Sequence, residues 1–168
     1  MIVYKSRVFQ VEETRVRFPD GRERDIAVVR HAPVVVLIPV PAPGQVILIR
    51  QYRASIARET WELPAGGIER GEGEEQAARR ECEEEISLVP HVLQRLGAWF
   101  PSPGFCDEEM IFFRASDLRP PPSDSPHTPD EDENIRVQVF TIQEAKAMTA
   151  SGEIVDLKTA YGLARLRG

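Results

Sequence analysis

The chain changes hydrophobic period several times, and each change marks an element. Residues 2 to 31 alternate apolar and polar positions in strand fashion, with Pro19-Asp20-Gly21 as a turn between strands at Thr14–Phe18 and Arg24–Arg30. Val34–Val40 and Gln45–Gln51 are two more strands around Pro41-Ala42-Pro43-Gly44, and the first is apolar enough to lie centrally in a sheet. The period then lengthens to that of a helix from about Glu74 to Ile86, acidic in its first turn and followed by Pro90. Val92–Trp99 and Met110–Arg114 return to strand patterning across the loop from Phe100 to Asp107. Asp117 to Asn134 is rich in proline and acid, and so long a loop in a compact domain goes with function or disorder. Ile135–Phe140 is a last strand, Thr141 and Glu144 form a capping box that opens a helix to about Ala150, and Asp156–Leu166 is a closing helix. There are no internal repeats. This mixed order of strands and helices predicts an α+β sandwich.

Composition narrows the function more than the fold. The 168 residues can bury a proper core, and 42% hydrophobic with 29% charged residues is ordinary for a soluble protein. A net charge of −6 without any basic run argues against a protein that grips nucleic acid by its backbone. The longest apolar run, Ala32 to Val40, is too short for a bilayer and broken by prolines, so no membrane partner is expected. The first residues lack the apolar core of a secretory signal. Cys82 and Cys106 have no zinc-type spacing and suit a reducing cytoplasm, with Cys82 on the packed face of the helix.

The chemistry is concentrated between Gly66 and Leu88. A glycine-marked loop leads to Glu72, and the following helix carries Arg80, Glu81, Glu84 and Glu85. At 3.6 residues per turn the last three carboxylates fall within roughly 100° of one face. Carboxylates this close repel one another and rise in pKa unless a cation sits among them. Oxygen ligands of this type suit Mg²⁺ or Mn²⁺, which makes a divalent-metal site the leading reading. Arg80 is expected to pair with Glu62 or Glu72 and hold the loop against the helix. Glu74 and Glu83 are expected to form a solvated face.

These residues have the form G-x5-E-x7-R-E-U-x-E-E-x-G-U, with U a bulky apolar residue, and the segment resembles the signature of the Nudix hydrolases. Gly66, Glu72, Arg80, Glu81, Glu84, Glu85 and Leu88 match it, Cys82 fills an apolar position, and Ser87 replaces the final glycine. A serine there would adopt the left-handed conformation that ends the helix, at a cost of about 1 kcal/mol. The flanks resemble the ADP-ribose pyrophosphatase branch: Trp61 to Gly66 as entry to the box, Ile49 to Arg53 as the preceding strand, Ser102-Pro103-Gly104, the acidic run Asp130 to Val137, and Gly152 to Asp156 with Thr159.

The resemblance implies a Nudix-type α/β/α sandwich with a mixed sheet over residues 32 to 168. Residues 1 to 31 would form a small antiparallel β region that exchanges between the subunits of a homodimer. It implies hydrolysis of a nucleoside diphosphate such as ADP-ribose to AMP and ribose 5-phosphate. The alternatives are another nucleoside diphosphate sugar, a dinucleotide such as NADH or FAD, or a non-catalytic nucleotide sensor. The metal ligands would be Glu81, Glu84, Glu85 and the backbone carbonyl of Ala65. The catalytic residues would be Arg80, Glu84 and a base from the late loop, Glu131 or Glu133. Substrate would be bound by Arg53, Glu62, Glu108 and the turn at Pro103. Phe9 would stack on adenine, with core packing as its other reading.

Overall fold

A strand apolar at every position needs cover on both faces, and Val34–Pro39 (β4) is buried throughout. The computed structural model describes residues 1–127 and 135–167. β4 lies inside a mixed sheet ordered β7-β4-β9-β8, where β7 is Ala65–Gly67, β8 Val89–Trp99 and β9 Met110–Arg119. It runs parallel to β9 and antiparallel to β7. A second, antiparallel sheet joins β5 (Gln45–Arg53) to β6 (Arg58–Glu62) on one side and β10 (Arg136–Thr141) on the other.

Alternation along these strands sorts the core into two layers. Val35, Leu37, Ile47, Ile49, Ile111 and Phe113 pack with Ala77, Ala78, Cys82 and Ile86 of α1 (Glu74–Ile86). Val34, Val36, Ile38, Val46, Leu48 and Phe112 face the other way, onto Ile142 and Ala145 of α2 (Ile142–Ser151) and Leu163 of α3 (Leu157–Ala164). Each fully buried aliphatic side chain contributes about 1.5–3 kcal/mol, so the central strands hold both helical layers in register. The expected α+β sandwich, helices on both faces, is what forms.

The helix ends follow local chemistry. Thr141 and Glu144 close a reciprocal capping box, with Glu144 N donating to Thr141 Oγ1 at 3.1 Å and Thr141 N to Glu144 Oε2 at 2.8 Å. Ser87 ends α1 at φ 55°, ψ 37°, its N–H donating to the Glu83 carbonyl. The serine therefore does take the left-handed conformation usually left to glycine.

The N-terminal residues form their own antiparallel sheet of β1 (Ile2–Lys5), β2 (Phe9–Arg17) and β3 (Glu23–His31). The turn at Pro19–Gly21 is where expected, with Gly21 at φ 82°. The elements differ from the sequence reading in several places. β9 continues to Arg119, so the long loop starts later than Asp117. β6 and β7 lie in a stretch read only as entry to the glycine loop; they are short, and Pro64 and two glycines hide their pattern.

Candidate active site

Gly66 sits opposite Val35 in the β4–β7 ladder, and α1 packs across β7 and β4. This brings the Glu81 carboxyl against the Gly66 backbone: a Cβ on residue 66 would stand 2.0 Å from Glu81 Cδ. Only glycine leaves room for a carboxylate there. One turn on, Glu85 Oε2 accepts from Ala65 N at 2.7 Å. The glycine loop and the acidic helix face are thus a single unit.

Arg80 fastens that unit. Its Nε and Nη2 donate to the two oxygens of Glu72, each at 2.9 Å, and Nη2 also reaches the Gly67 carbonyl at 2.8 Å. Its Nη1 donates to Glu81 at 2.7 Å and Glu84 at 2.9 Å. Of the two partners expected for Arg80, Glu72 is the one used. His127 Nδ1 lies 3.5 Å from the other oxygen of Glu84.

One guanidinium against three carboxylates leaves an excess of negative charge. Burial pushes the Glu81 carboxyl above its ordinary range; Arg80 pulls it back, while Glu84 and Glu72 raise it again, and the net shift is upward. The Glu72 carboxyl is held low, chiefly by its hydrogen bonds from Arg80. Among the described residues no three His, Cys, Asp or Glu side chains are arranged to enclose a metal ion. Arg80 Nη1 bonds two of the expected ligands. Even so, the donor set fits a hard divalent cation: carboxylate oxygens only, short of positive charge, one of them driven toward protonation.

Beside this face opens a cavity of about 570 Å³ lined by Arg53, Glu62, Ala65, His31, Glu108, Met110 and Lys158, among others. Arg53 closes β5 and reaches back along the hairpin to Glu62, which the register places opposite Ile49. Arg53 Nε donates to Glu62 Oε1 at 2.8 Å and Nη2 to Oε2 at 2.6 Å. Glu62 is 1% exposed and also accepts from Lys158 Nζ. Burial alone would raise the Glu62 carboxyl, but Arg53 and Lys158 outweigh it and hold it low. Glu62 is therefore not a partner of Arg80.

Glu108 reaches the cavity from the loop before β9, with its Oε1 3.8 Å from His31 Nδ1. The preceding Asp107 ties this loop to β3, accepting from His31 N at 2.9 Å and Arg30 Nη1 at 3.0 Å. Pro103 is exposed in the turn Ser102–Phe105, away from the cavity lining. Phe9 is 38% exposed and lies 5.8 Å from Tyr4 between ring centroids, so its core reading is corrected. Glu131 and Glu133 lie outside the described residues.

Three further residues depart from expectation. Glu83, expected in water, is 7% exposed, and its Oε1 has no hydrogen-bond partner among the described residues. The chain at 122–127 borders a cavity together with Glu83 on that side of α1, a proximity that helical spacing alone does not reveal. Lys158 and His31 line the cavity without having been singled out. A lone lysine on a helix and a lone histidine at a strand end carry no signal until the fold brings them to the cavity. Cys82 is fully buried as expected, and burial pushes its thiol up to about 12.

Comparison with known proteins agrees with this geometry. The NUDIX domain family profile matches residues 29–158. The chain is 32% identical over 165 residues to an ADP-ribose pyrophosphatase of Bacillus subtilis (strain 168), covering 98% of this chain and 88% of that protein. It is 28% identical over the same coverage to a methanol dehydrogenase activator of Bacillus methanolicus. The crystal structure of an ADP compounds hydrolase, 23% identical, superposes with a TM-score of 0.82 over 98% of this chain and 87% of its own, which speaks for the fold. No helix among the described residues is long and apolar enough to cross a membrane. With its glycine loop packed on an arginine-fastened acidic helix face, and with matches along nearly its whole length, this chain belongs to the Nudix hydrolase family.

Proposed function

We propose that this protein hydrolyses the pyrophosphate bond of ADP-ribose to AMP and ribose 5-phosphate, with Mg²⁺ or Mn²⁺ bound at the acidic face of α1. The observation that carries the reading is the charge excess: Glu72, Glu81 and Glu84 share one Arg80, next to a cavity with Arg53 on its wall. Glu81, Glu84, Glu85 and the Ala65 carbonyl would hold the metal. When bound, the cation would offset the charge that builds on the phosphates and lower the pKa of an attacking water. Arg80 would keep the loop and the helix in register, and Arg53 would bind phosphate or ribose oxygens. Glu108 would accept hydrogen bonds from ribose hydroxyls, and the Pro103 turn would shape the loop that carries it. The water's proton would pass to Glu131 or Glu133, a role that rests on the family resemblance alone.

The choice of ADP-ribose among nucleoside diphosphates rests on the flanking motifs and on the ADP-ribose pyrophosphatase relative. Residues 1 to 31 would pair with a second copy, a reading supported by the exposure of Ile2, Val3 and Tyr4 on β1, and Phe9 would meet the adenine there. A panel of ADP-ribose, other nucleoside diphosphate sugars, NADH and FAD with Mg²⁺ tests the reading. The highest kcat/KM is expected for ADP-ribose, with AMP and ribose 5-phosphate as products. A higher value for another member would reassign the substrate, and tight binding of ADP-ribose with no turnover of any member would make the protein a sensor.

A further inference from the structure

We infer that Lys158 is a positioning residue for the diphosphate-binding Arg53, acting through Glu62. The inference rests on the proposed role of Arg53 and adds what makes that arginine available. Lys158 is 8% exposed at the start of α3, and it is held from two sides. Its Nζ donates to Glu62 Oε2 and, at 3.0 Å, to Asp156 Oδ2. Asp156 in turn caps α3, accepting from Thr159 N at 2.9 Å and from Thr159 Oγ1 at 2.5 Å. Thr159 Oγ1 accepts from Leu63 N at 2.7 Å, which locks the helix start to the end of β6. The whole chain of contacts is buried or half-buried, so its geometry is fixed.

Charge explains what this geometry does. Two cations, Arg53 and Lys158, meet two carboxylates, Glu62 and Asp156. Glu62 spends part of its charge on Lys158. Arg53 therefore shares Glu62 with the lysine, and its side chain stays 41% exposed on the cavity wall. Its Nε and Nη2 are committed to Glu62, and among the described residues Nη1 has no hydrogen-bond partner, which leaves it for an anionic ligand. Without the lysine, Glu62 and Asp156 would both turn on Arg53, pulling the guanidinium inward and cancelling its attraction for phosphate. A buried lysine that only filled space would have no such effect on a ligand.

The test is a double-mutant cycle read by KM, kcat and melting temperature, using Lys158→Met, Arg53→Gln and the double variant. It is run on whichever panel member the wild-type protein cleaves best, so that failure of ADP-ribose as substrate is seen first in the wild type and kept separate. Lys158→Met is expected to raise KM about tenfold with a much smaller fall in kcat. In the double variant KM should equal that of Arg53→Gln alone, because the lysine acts through the arginine. Lys158→Arg, which keeps the charge, should recover most of the loss and guards against a methionine variant that fails to fold. Effects on KM that multiply in the double variant, or a Lys158→Met protein with a lower melting temperature and unchanged KM, would overturn the inference.

Discussion

Two ionic networks, one in the lining of the Arg53 cavity and one on the far side of Ala65 at α1, differ in their balance. At the cavity floor Arg53 and Lys158 face Glu62 and Asp156, two charges against two. At α1, the single guanidinium of Arg80 faces Glu72, Glu81 and Glu84, with His127 beside Glu84. The balanced network is complete as it stands, and the Glu62 carboxyl within it is held low by its partners. The unbalanced one is not, and the Glu81 carboxyl within it is pushed up. On the proposed function, the carboxylates that already have their counter-charge would position a binding group, and those short of it would take a cation.

The sharpest way to break this contrast is to remove one carboxylate from each side. Glu81→Ala and Glu85→Ala should each lower kcat by about 10³-fold while the fold persists, since the unbalanced side loses repulsion along with its ligands. Near-normal turnover in both variants would remove them from the metal site. On the balanced side, Glu62→Gln leaves the buried Lys158 and the half-exposed Arg53 short of charge and should cost about 3 kcal/mol of stability in urea unfolding at neutral pH. The sign with pH follows from the depressed folded pKa of Glu62. Its contribution is fully present above the unfolded value of 4.5 and is lost as pH falls through the lower folded value. The gap between wild type and variant should therefore close in that acid range, and a gap that widens there would contradict the pairing.

Gly66→Ala separates activity from stability on the unbalanced side. The three atoms nearest the new Cβ all belong to the Glu81 carboxyl, the far end of a flexible side chain, so the fold should lose about 1 kcal/mol. The displaced carboxylate should cost about 10²-fold in kcat, because a shift of roughly 1 Å at a reacting group has that effect. Equal losses in stability and activity would mean the loop itself had collapsed. Smallest of all, Ser87→Gly relieves the left-handed position at the end of α1 and should raise stability by about 1 kcal/mol with kcat unchanged. This variant lies outside both networks and calibrates the others.

The sequence disclosed the unbalanced network far better than the balanced one, for a physical reason. Glu81, Glu84 and Glu85 lie on one helix, so helical spacing alone brings them together, and Arg80 and Glu72 share the same short segment. The balanced network joins the end of β5, the end of β6 and the start of α3, and Lys158 meets Glu62 only through tertiary packing. Long, strongly patterned elements such as β4 and α1 were legible to within a residue or so. β7 was not, because its pairing with β4 comes from the partner strand rather than from its own three residues. Glu83 is buried where helical spacing predicts a solvated face, and the distant segment 122–127, which borders a cavity with it, does not show in that spacing.

The central claim, that the charge excess on α1 is a divalent-cation site, is tested most directly by titrating the protein with Mn²⁺ and counting bound ions by electron paramagnetic resonance. The wild type should bind at least one Mn²⁺ that Mg²⁺ displaces, Glu81→Ala and Glu85→Ala should each weaken that binding by at least about tenfold, and Glu62→Gln should leave it intact. Binding unaffected by Glu81→Ala and Glu85→Ala, or lost in Glu62→Gln while the protein stays folded, would contradict it.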